Sequence, residues 1–218
     1  MDDVIFIDKP AGMTSFGVVA RIRRVLSKEK GKKVKVGHTG TLDPFATGLT
    51  IVVVGAECKN ASFYTKLDKV YEATILLGKS STTGDIEGEI TEVSDTVPDI
   101  ARIEAVLTKF RGKILQSPPI FSAIKINGRR AYKLARSGQE FEMPKRQVEI
   151  YDLEIIDYKY PELKVRTHVS SGTYIRSLAV DIGEALGVGA YCSELRRISI
   201  NKWHVDNAQT LKDMGIDD

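Results

Sequence analysis

Residues 36–48 read Val-Gly-His-Thr-Gly-Thr-Leu-Asp-Pro-Phe-Ala-Thr-Gly. Glycines at 37, 40 and 48 permit backbone angles denied to other residues, and so a sharply folded loop that approaches a ligand closely. The next six residues, Leu49 to Val54, are a β-branched stretch long enough for a buried strand. Between the glycines stand His38, Thr39, Thr41, Asp43 and Thr47. A polar loop braced by a core strand is a common place to display a reactive group, and Asp43 is the candidate. Asp43-Pro44 also fits a second reading, an N-cap followed by proline in the first turn of a short helix.

The elements around this loop predict an α+β chain. Val4–Ile7 is a short strand ending at Lys9-Pro10. Thr14 or Ser15 then caps a helix whose apolar stripe is Val18, Val19, Ile22, Val25 and Leu26, with Arg21, Arg24 and Lys28 on the other face. Gly31-Lys32-Lys33 is expected as a mobile, basic turn. After the 49–54 strand, the pattern gives a short helix over 57–66 and a strand over Lys69–Leu77 that places Tyr71, Ala73, Ile75 and Leu77 on one side. Residues 78–95 read as a polar hairpin in which Ser80 to Thr83 and Asp85 are turn formers. A helix over 98–112 follows, then a strand over 120–126 with a hairpin turn at Asn127-Gly128 and a basic helical segment through Arg136. Strands over 148–158 and 163–171, a helix over 173–186 and a last core strand over 195–200 complete the pattern.

Charge distribution is more informative than its sum. The net charge is only +3 across 218 residues, but eight of the fifteen residues from Arg21 to Lys35 are basic and one is acidic. Lys125, Arg129, Arg130, Lys133, Arg136, Lys145 and Arg146 form a second basic region. Two such surfaces can grip one polyanion from two sides, or serve as solvated faces that keep the protein soluble. Arg176 sits in the first turn of the 173–186 helix, where the macrodipole disfavours a cation, so it calls for an anion nearby or for solvent. Cys58 and Cys192 make no disulfide framework, the three histidines do not cluster at metal-ligand spacing, and no apolar run approaches the length of a membrane span. These features predict a cytoplasmic protein without a metal site.

Three blocks carry a family likeness: Asp8-Lys9-Pro10-Ala11-Gly12-Met13-Thr14-Ser15, the 36–48 loop, and Ser171-Gly172-Thr173-Tyr174-Ile175-Arg176. In this order and spacing they resemble the bacterial tRNA pseudouridine synthase B, or TruB-type, family. The likeness continues through Lys69-Val70-Tyr71, Ser122-Ala123-Ile124-Lys125 and Glu194-Leu195-Arg196-Arg197. The resemblance implies a single catalytic domain over 1–218 with the pseudouridine synthase fold, a mixed, mainly antiparallel sheet flanked by helices. It also implies an RNA-gripping thumb inserted over about 117–147, a region equally readable as a surface hairpin. The usual small C-terminal RNA-binding domain of the PUA type is not expected within these residues.

By the same resemblance, Asp43 is the catalytic carboxylate and Arg176 its partner. Tyr71, otherwise readable as a core aromatic, stacks on the target uracil. His38 holds nucleotides displaced when the RNA loop opens, and Leu195, Tyr174 and Lys9 belong to the pocket. Arg21, Arg24, Lys32, Lys33, Arg129 and Arg130 form the RNA-binding basic surface. The implied reaction isomerises a T-loop uridine of tRNA without cofactor or metal, by a monomer that needs no obligatory protein partner. Two other readings share the scaffold: a guide-RNA-dependent subunit of H/ACA particles, and a non-catalytic tRNA-binding or folding factor. A pure binder gains nothing from Asp43 beside a polyanion, where its charge repels phosphates.

Overall fold

The computed structural model describes residues 3–122, 124–126, 128–137 and 141–216, and the side chains of Lys125, Arg130, Tyr132, Lys133 and Arg136 lie outside the description. Ala123 and Asn127, used in the sequence reading, also lie outside it. The chain divides into two compact units, Met1–Glu72 with Leu195–Asp218, and Ala73–Glu194. It passes between them inside two strands.

The first unit contains β1 (Asp3–Lys9), α1 (Ser15–Glu29), β2 (Val36–His38), β3 (Thr47–Val54), a 3-10 segment Gly55–Asn60, α2 (Ala61–Thr65) and the start of β4 (Lys69–Leu77). The second contains the rest of β4, β5 (Lys79–Ser81), β6 (Ile90–Glu92), α3 (Ile100–Phe110), β7 (Gly112–Gln116), β8 (Lys125–Ile126), β9 (Arg129–Arg130) and α4 (Ala131–Arg136). It continues with β10 (Arg146–Lys159), β11 (Glu162–Val169), α5 (Ile175–Leu186) and the beginning of β12 (Ala190–Ile200). The end of β12 and β13 (Trp203–His204) return to the first unit.

Neighbouring strands run in the order β1-β3-β12-β4 in the first unit, with β2 on β3 and β13 on β12, and β4-β11-β10-β7 in the second. The β1–β3, β2–β3, β7–β10, β10–β11 and β12–β13 pairs are antiparallel, whereas β3 and β12 are parallel. The α+β class with a mixed, mainly antiparallel sheet is therefore the observed one.

β3 explains why the loop is rigidly backed. Its Val52 packs under α1 with Ile7, Val18, Ile22, Leu211 and Ile216. Its Leu49, Ile51 and Val53 face the other way, against Tyr64, Ile200 and Val205. A strand buried on both faces needs a near-continuous apolar run rather than alternation, and 49–54 supplies one interrupted only by the buried Thr50. In the second unit, α3 buries Ile103, Val106 and Leu107, and α5 buries Ile175, Leu178, Ala179, Ile182 and Leu186. Asp99 caps α3 by accepting from the Arg102 amide at 2.8 Å.

Several elements differ from the sequence expectation. The 57–66 helix is a 3-10 segment followed by the five-residue α2, because so short an element holds its shape by tertiary contacts rather than by helix propagation; Tyr64 reaches back to Glu57 at 2.8 Å. The 120–126 strand shrinks to β8, since Pro118 and Pro119 supply no amide donors and the Phe121 carbonyl accepts from Arg176 instead. Edge strand β7 and three-residue β2 are too short to announce themselves by periodicity.

Gly48 shows how closely the loop meets the sheet. Its φ is +104°, and a Cβ there would lie 2.3 Å from the Arg197 carbonyl oxygen and 2.7 Å from its amide nitrogen on β12. Gly48→Ala is expected to lower stability by at least about 1–3 kcal/mol from backbone conformation alone, with the clash adding more. Urea unfolding of the variant checks this, and a wild-type midpoint would contradict the close approach.

Candidate active site

The 36–48 loop begins as a strand and ends as one. Val36, Gly37 and His38 pair with Val54, Val53 and Val52, and Thr39 donates both its amide (3.1 Å) and its hydroxyl (3.3 Å) to the Ile51 carbonyl. From Thr41 to Asp43 the backbone is irregular, and Pro44-Phe45 forms a bend. Asp43 is thus not the cap of a helix; it occupies a half-buried turn.

Both predicted capping hydroxyls are used, in different ways. Thr14 caps α1 by accepting from the Gly17 amide at 2.9 Å. Ser15 instead clasps the loop: its buried hydroxyl donates to the Leu42 carbonyl at 3.2 Å and accepts from the Leu42 amide at 2.8 Å. The residue before Asp43 is therefore fixed to the first turn of α1. Lys9 fastens the residue after it. This fully buried ammonium donates to the carbonyls of Met13 (2.6 Å), Pro10 (2.7 Å) and Pro44 (3.2 Å), while the Gly12 amide donates to the Pro44 carbonyl at 2.8 Å. Lys9 acts here as a brace for the loop, a role its pocket assignment did not specify.

Two consecutive arginines of β12 complete the support. Arg197, 1 % exposed, donates Nε to the Leu49 carbonyl at 2.6 Å and Nη2 to the Gly40 carbonyl at 3.2 Å. Arg196 points the other way, holds both carboxylate oxygens of Asp8 at 3.0 and 2.7 Å, and reaches the Thr47 hydroxyl at 3.3 Å. The sequence did carry a signal for this pair: in a core strand, one of two adjacent arginines must face inward.

His38 has a half-buried ring whose Nδ1 is buried and without a hydrogen-bond partner among the described residues. Burial, and secondarily the Arg197 charge, hold its pKa below the ordinary histidine value, so it is neutral at neutral pH. Tyr71 on β4 is 7 % exposed and Leu195 on neighbouring β12 is 8 % exposed. Near Tyr71, Lys69 donates to the carbonyls of Thr65 and Leu67, and burial pushes its ammonium down to about 8.

In the second unit, Arg176 is 4 % exposed in the first turn of α5. The anion that position demands is present: Arg176 Nη1 contacts Asp85 Oδ2 at 2.8 Å, with both side chains almost fully buried. The guanidinium also donates to the carbonyls of Thr83 and Phe121, each at 3.0 Å. Asp85 accepts in addition from the Thr83 hydroxyl at 2.5 Å and the Glu87 amide at 2.9 Å. Asp85 is a turn former, as expected, but it is also a buried counter-ion that local sequence did not reveal. Tyr174, the N-cap residue of α5, is held through its backbone by Gln116, which accepts from its amide at 2.8 Å and donates to its carbonyl at 3.0 Å. Its ring lies 5.3 Å below the Arg146 guanidinium.

Among the basic-surface candidates, Arg21 is half-buried and Arg24, Lys32, Lys33 and Arg129 are exposed. Asp43, Tyr71, His38, Lys9 and Leu195 thus belong to the first unit, and Arg176 and Tyr174 to the second.

Residues 23–175 match the family model described as TruB family pseudouridylate synthase, N-terminal domain, and residues 176–215 match that of the tRNA pseudouridylate synthase B C-terminal domain. The chain belongs to the TruB family. Its similarity to TruB proteins runs the length of the chain: it is 42 % identical over 215 residues to tRNA pseudouridine synthase B of Aquifex aeolicus, covering 98 % of this chain and 73 % of the relative. The same figures for the Solibacter usitatus protein of that name are 42 %, 98 % and 72 %. Among solved structures, the chain superposes with a TM-score of 0.73 and 31 % identity on a chain of a Cbf5-Nop10-Gar1 complex. That match covers 98 % of this TruB chain and 56 % of the other, so this chain spans little more than half of that solved chain.

Three expected outcomes follow from the site's electrostatics. Asp85→Ala removes the carboxylate 2.8 Å from the buried Arg176 guanidinium and is expected to cost about 3–5 kcal/mol. Asp8→Ala at the half-exposed Arg196 pair is expected to cost about 1 kcal/mol or less; urea denaturation of both variants compares them. For His38 the folded pKa is depressed, so the unfolded chain takes up the proton first. Its contribution to stability is full above pH 6.5 and is lost as pH falls through the folded value. His38→Gln should flatten that part of the stability profile, and an unchanged slope below pH 6.5 would exclude it as the source.

Proposed function

We propose that this chain isomerises uridine to pseudouridine in tRNA, at the T-loop uridine in position 55 of standard tRNA numbering. The observation that carries the reading is Asp43 itself: a half-buried carboxylate on an irregular turn whose flanking residues, Leu42 and Pro44, are clamped by Ser15 and Lys9. The names of the relatives, tRNA pseudouridine synthase B, supply the substrate class.

The reaction breaks the bond from C1′ to N1, turns the uracil and rejoins it through C5. It is redox-neutral and adds no group, so a positioned carboxylate suffices, either as nucleophile or as a stabiliser of positive charge at the sugar. In this reading Asp43 fills that role and Arg176, itself held by Asp85, keeps the carboxylate ionised and oriented. A stacked uridine must first be flipped out, at a cost of a few kcal/mol; stacking on Tyr71 offsets about 1–3 kcal/mol of it. Neutral His38 can lie among displaced nucleotides, with Tyr174, Leu195 and Lys9 around the pocket. The segment over about 117–147 serves as the RNA-gripping thumb of a single catalytic domain, and Arg21, Arg24, Lys32, Lys33, Arg129 and Arg130 meet the RNA backbone. The protein acts in the cytoplasm as a monomer, without an obligatory protein partner, metal or cofactor.

The superposition on Cbf5 favours a second reading, a subunit that works within a larger particle. The higher identity to tRNA pseudouridine synthase B, 42 % against 31 %, supports the first.

Purified protein alone is expected to form pseudouridine at the T-loop uridine of an unmodified tRNA transcript. Asp43→Asn should lower turnover by more than about a thousandfold while leaving tRNA affinity within a few-fold. Tyr71→Phe, which keeps the stacking ring, should retain binding and reduce turnover. Product formation only after a guide RNA or partner is added would favour the second reading.

A further inference from the structure

The outward face of α1 is an unpartnered cationic cleft. A cavity of about 590 Å³ is lined there by Arg23, Arg24, Lys28, Lys32 and Lys33, with Ser27 between them and no acidic residue. The opposite face of the helix is already committed, since Val18 and Ile22 are core and Val25 and Leu26 pack against it. The cleft is built rather than loose. The turn after the helix is tied back by the Lys30 amide to the Leu26 carbonyl (3.1 Å), the Gly31 amide to the Lys28 carbonyl (3.3 Å) and the Val34 amide to the Ser27 hydroxyl (3.0 Å).

Among the described residues, none of the five cations forms an ion pair with a carboxylate. The helix dipole rewards Lys28 in the last turn, but it gives no reason for Arg23 and Arg24 about one turn earlier. Phe16, on the same face, is 63 % exposed, and the Arg23 guanidinium lies 5.9 Å from its ring centroid. An exposed aromatic ring beside an arginine plane in a field of cations is the arrangement that stacks an unpaired base and tracks its phosphates. Position adds to composition. Phe16 follows Ser15, whose hydroxyl clasps Leu42 next to Asp43, so the stripe starts where the reactive loop is anchored and runs along the helix for about 20 Å.

We propose that this face of α1 and the following turn bind the sugar–phosphate backbone of an unpaired RNA segment outside the reacting uridine. Phe16 and Arg23 stack a base near the site, and Arg24, Lys28, Lys32 and Lys33 meet successive phosphates. The proposal rests on the synthase reading for the identity of the RNA, and it adds Phe16, Arg23 and Lys28 to the contact surface.

The test is tRNA-transcript binding measured across salt concentrations, beside pseudouridine formation by the wild type. The triple variant Lys28→Ala, Lys32→Ala, Lys33→Ala should bind about tenfold more weakly near 0.1 M salt and lose about 2 from the slope of log affinity against log salt, at about 0.7 per single-strand phosphate. The corresponding triple arginine variant, which keeps the charges, should restore the slope. Phe16→Ala should weaken binding by about fivefold or more without changing the slope. Wild-type affinity and slope in both alanine variants, with the wild type active on tRNA, would overturn the proposal and leave the cleft to solvent or to an acidic protein segment. A wild type that forms no pseudouridine would instead overturn the synthase reading.

Discussion

The guanidinium of Arg197 is buried in the first unit and spends its donors on two backbone carbonyls, those of Gly40 in the reactive loop and Leu49 at the start of its supporting strand. Burying a charge is costly unless hydrogen bonds replace water, so these carbonyls must stay where they are for the core to remain satisfied. The backbone of the same arginine lies against Gly48, leaving no room for a side chain. The loop is therefore held at its middle and its end by one residue of β12. Its charge also helps to keep His38 neutral. Replacing it with an apolar residue would take a donor from both carbonyls and loosen the middle of the loop.

Around this anchor the loop is fastened on every side by polar groups that ordinarily face water. Lys9 is fully buried and donates to three carbonyls, and Ser15 exchanges two hydrogen bonds with Leu42. This is preorganisation in the physical sense: the turn carrying Asp43 does not have to be ordered when substrate arrives, so binding energy is not consumed in fixing it. The second unit repeats the device with Arg176, which Asp85 and two carbonyls hold from three sides. In both places a buried cation immobilises irregular backbone that no ladder of strand hydrogen bonds could hold.

Much of this was legible in the sequence because it is local or periodic. The loop's glycines, the largely apolar, β-branched run of β3 and the stripe of α1 follow from residue type and spacing. The Thr14 cap, β4 with Tyr71 inward and the apolar face of α5 follow in the same way. Where the reading failed, long-range partners decided. The 120–126 stretch has strand-like residues, but its carbonyl at Phe121 is taken by a side chain 55 residues away. Asp85 sits among Ser and Thr in a glycine-containing hairpin, and nothing local separates a solvated turn aspartate from a buried counter-ion.

The sequence by itself determined that a cation at residue 176 would need an anion or solvent, and it carried the signal that one of two adjacent arginines in β12 would face the core. It also placed Asp43 on a loop backed by a buried strand. These are consequences of helix polarity, strand alternation and glycine stereochemistry, which act over a few residues. Only the tertiary structure decided which anion meets Arg176 within its unit and which arginine turns inward. It likewise showed that Ser15 holds the loop rather than capping the helix. Such choices depend on which distant carbonyls and carboxylates folding leaves without water, and linear spacing does not encode that.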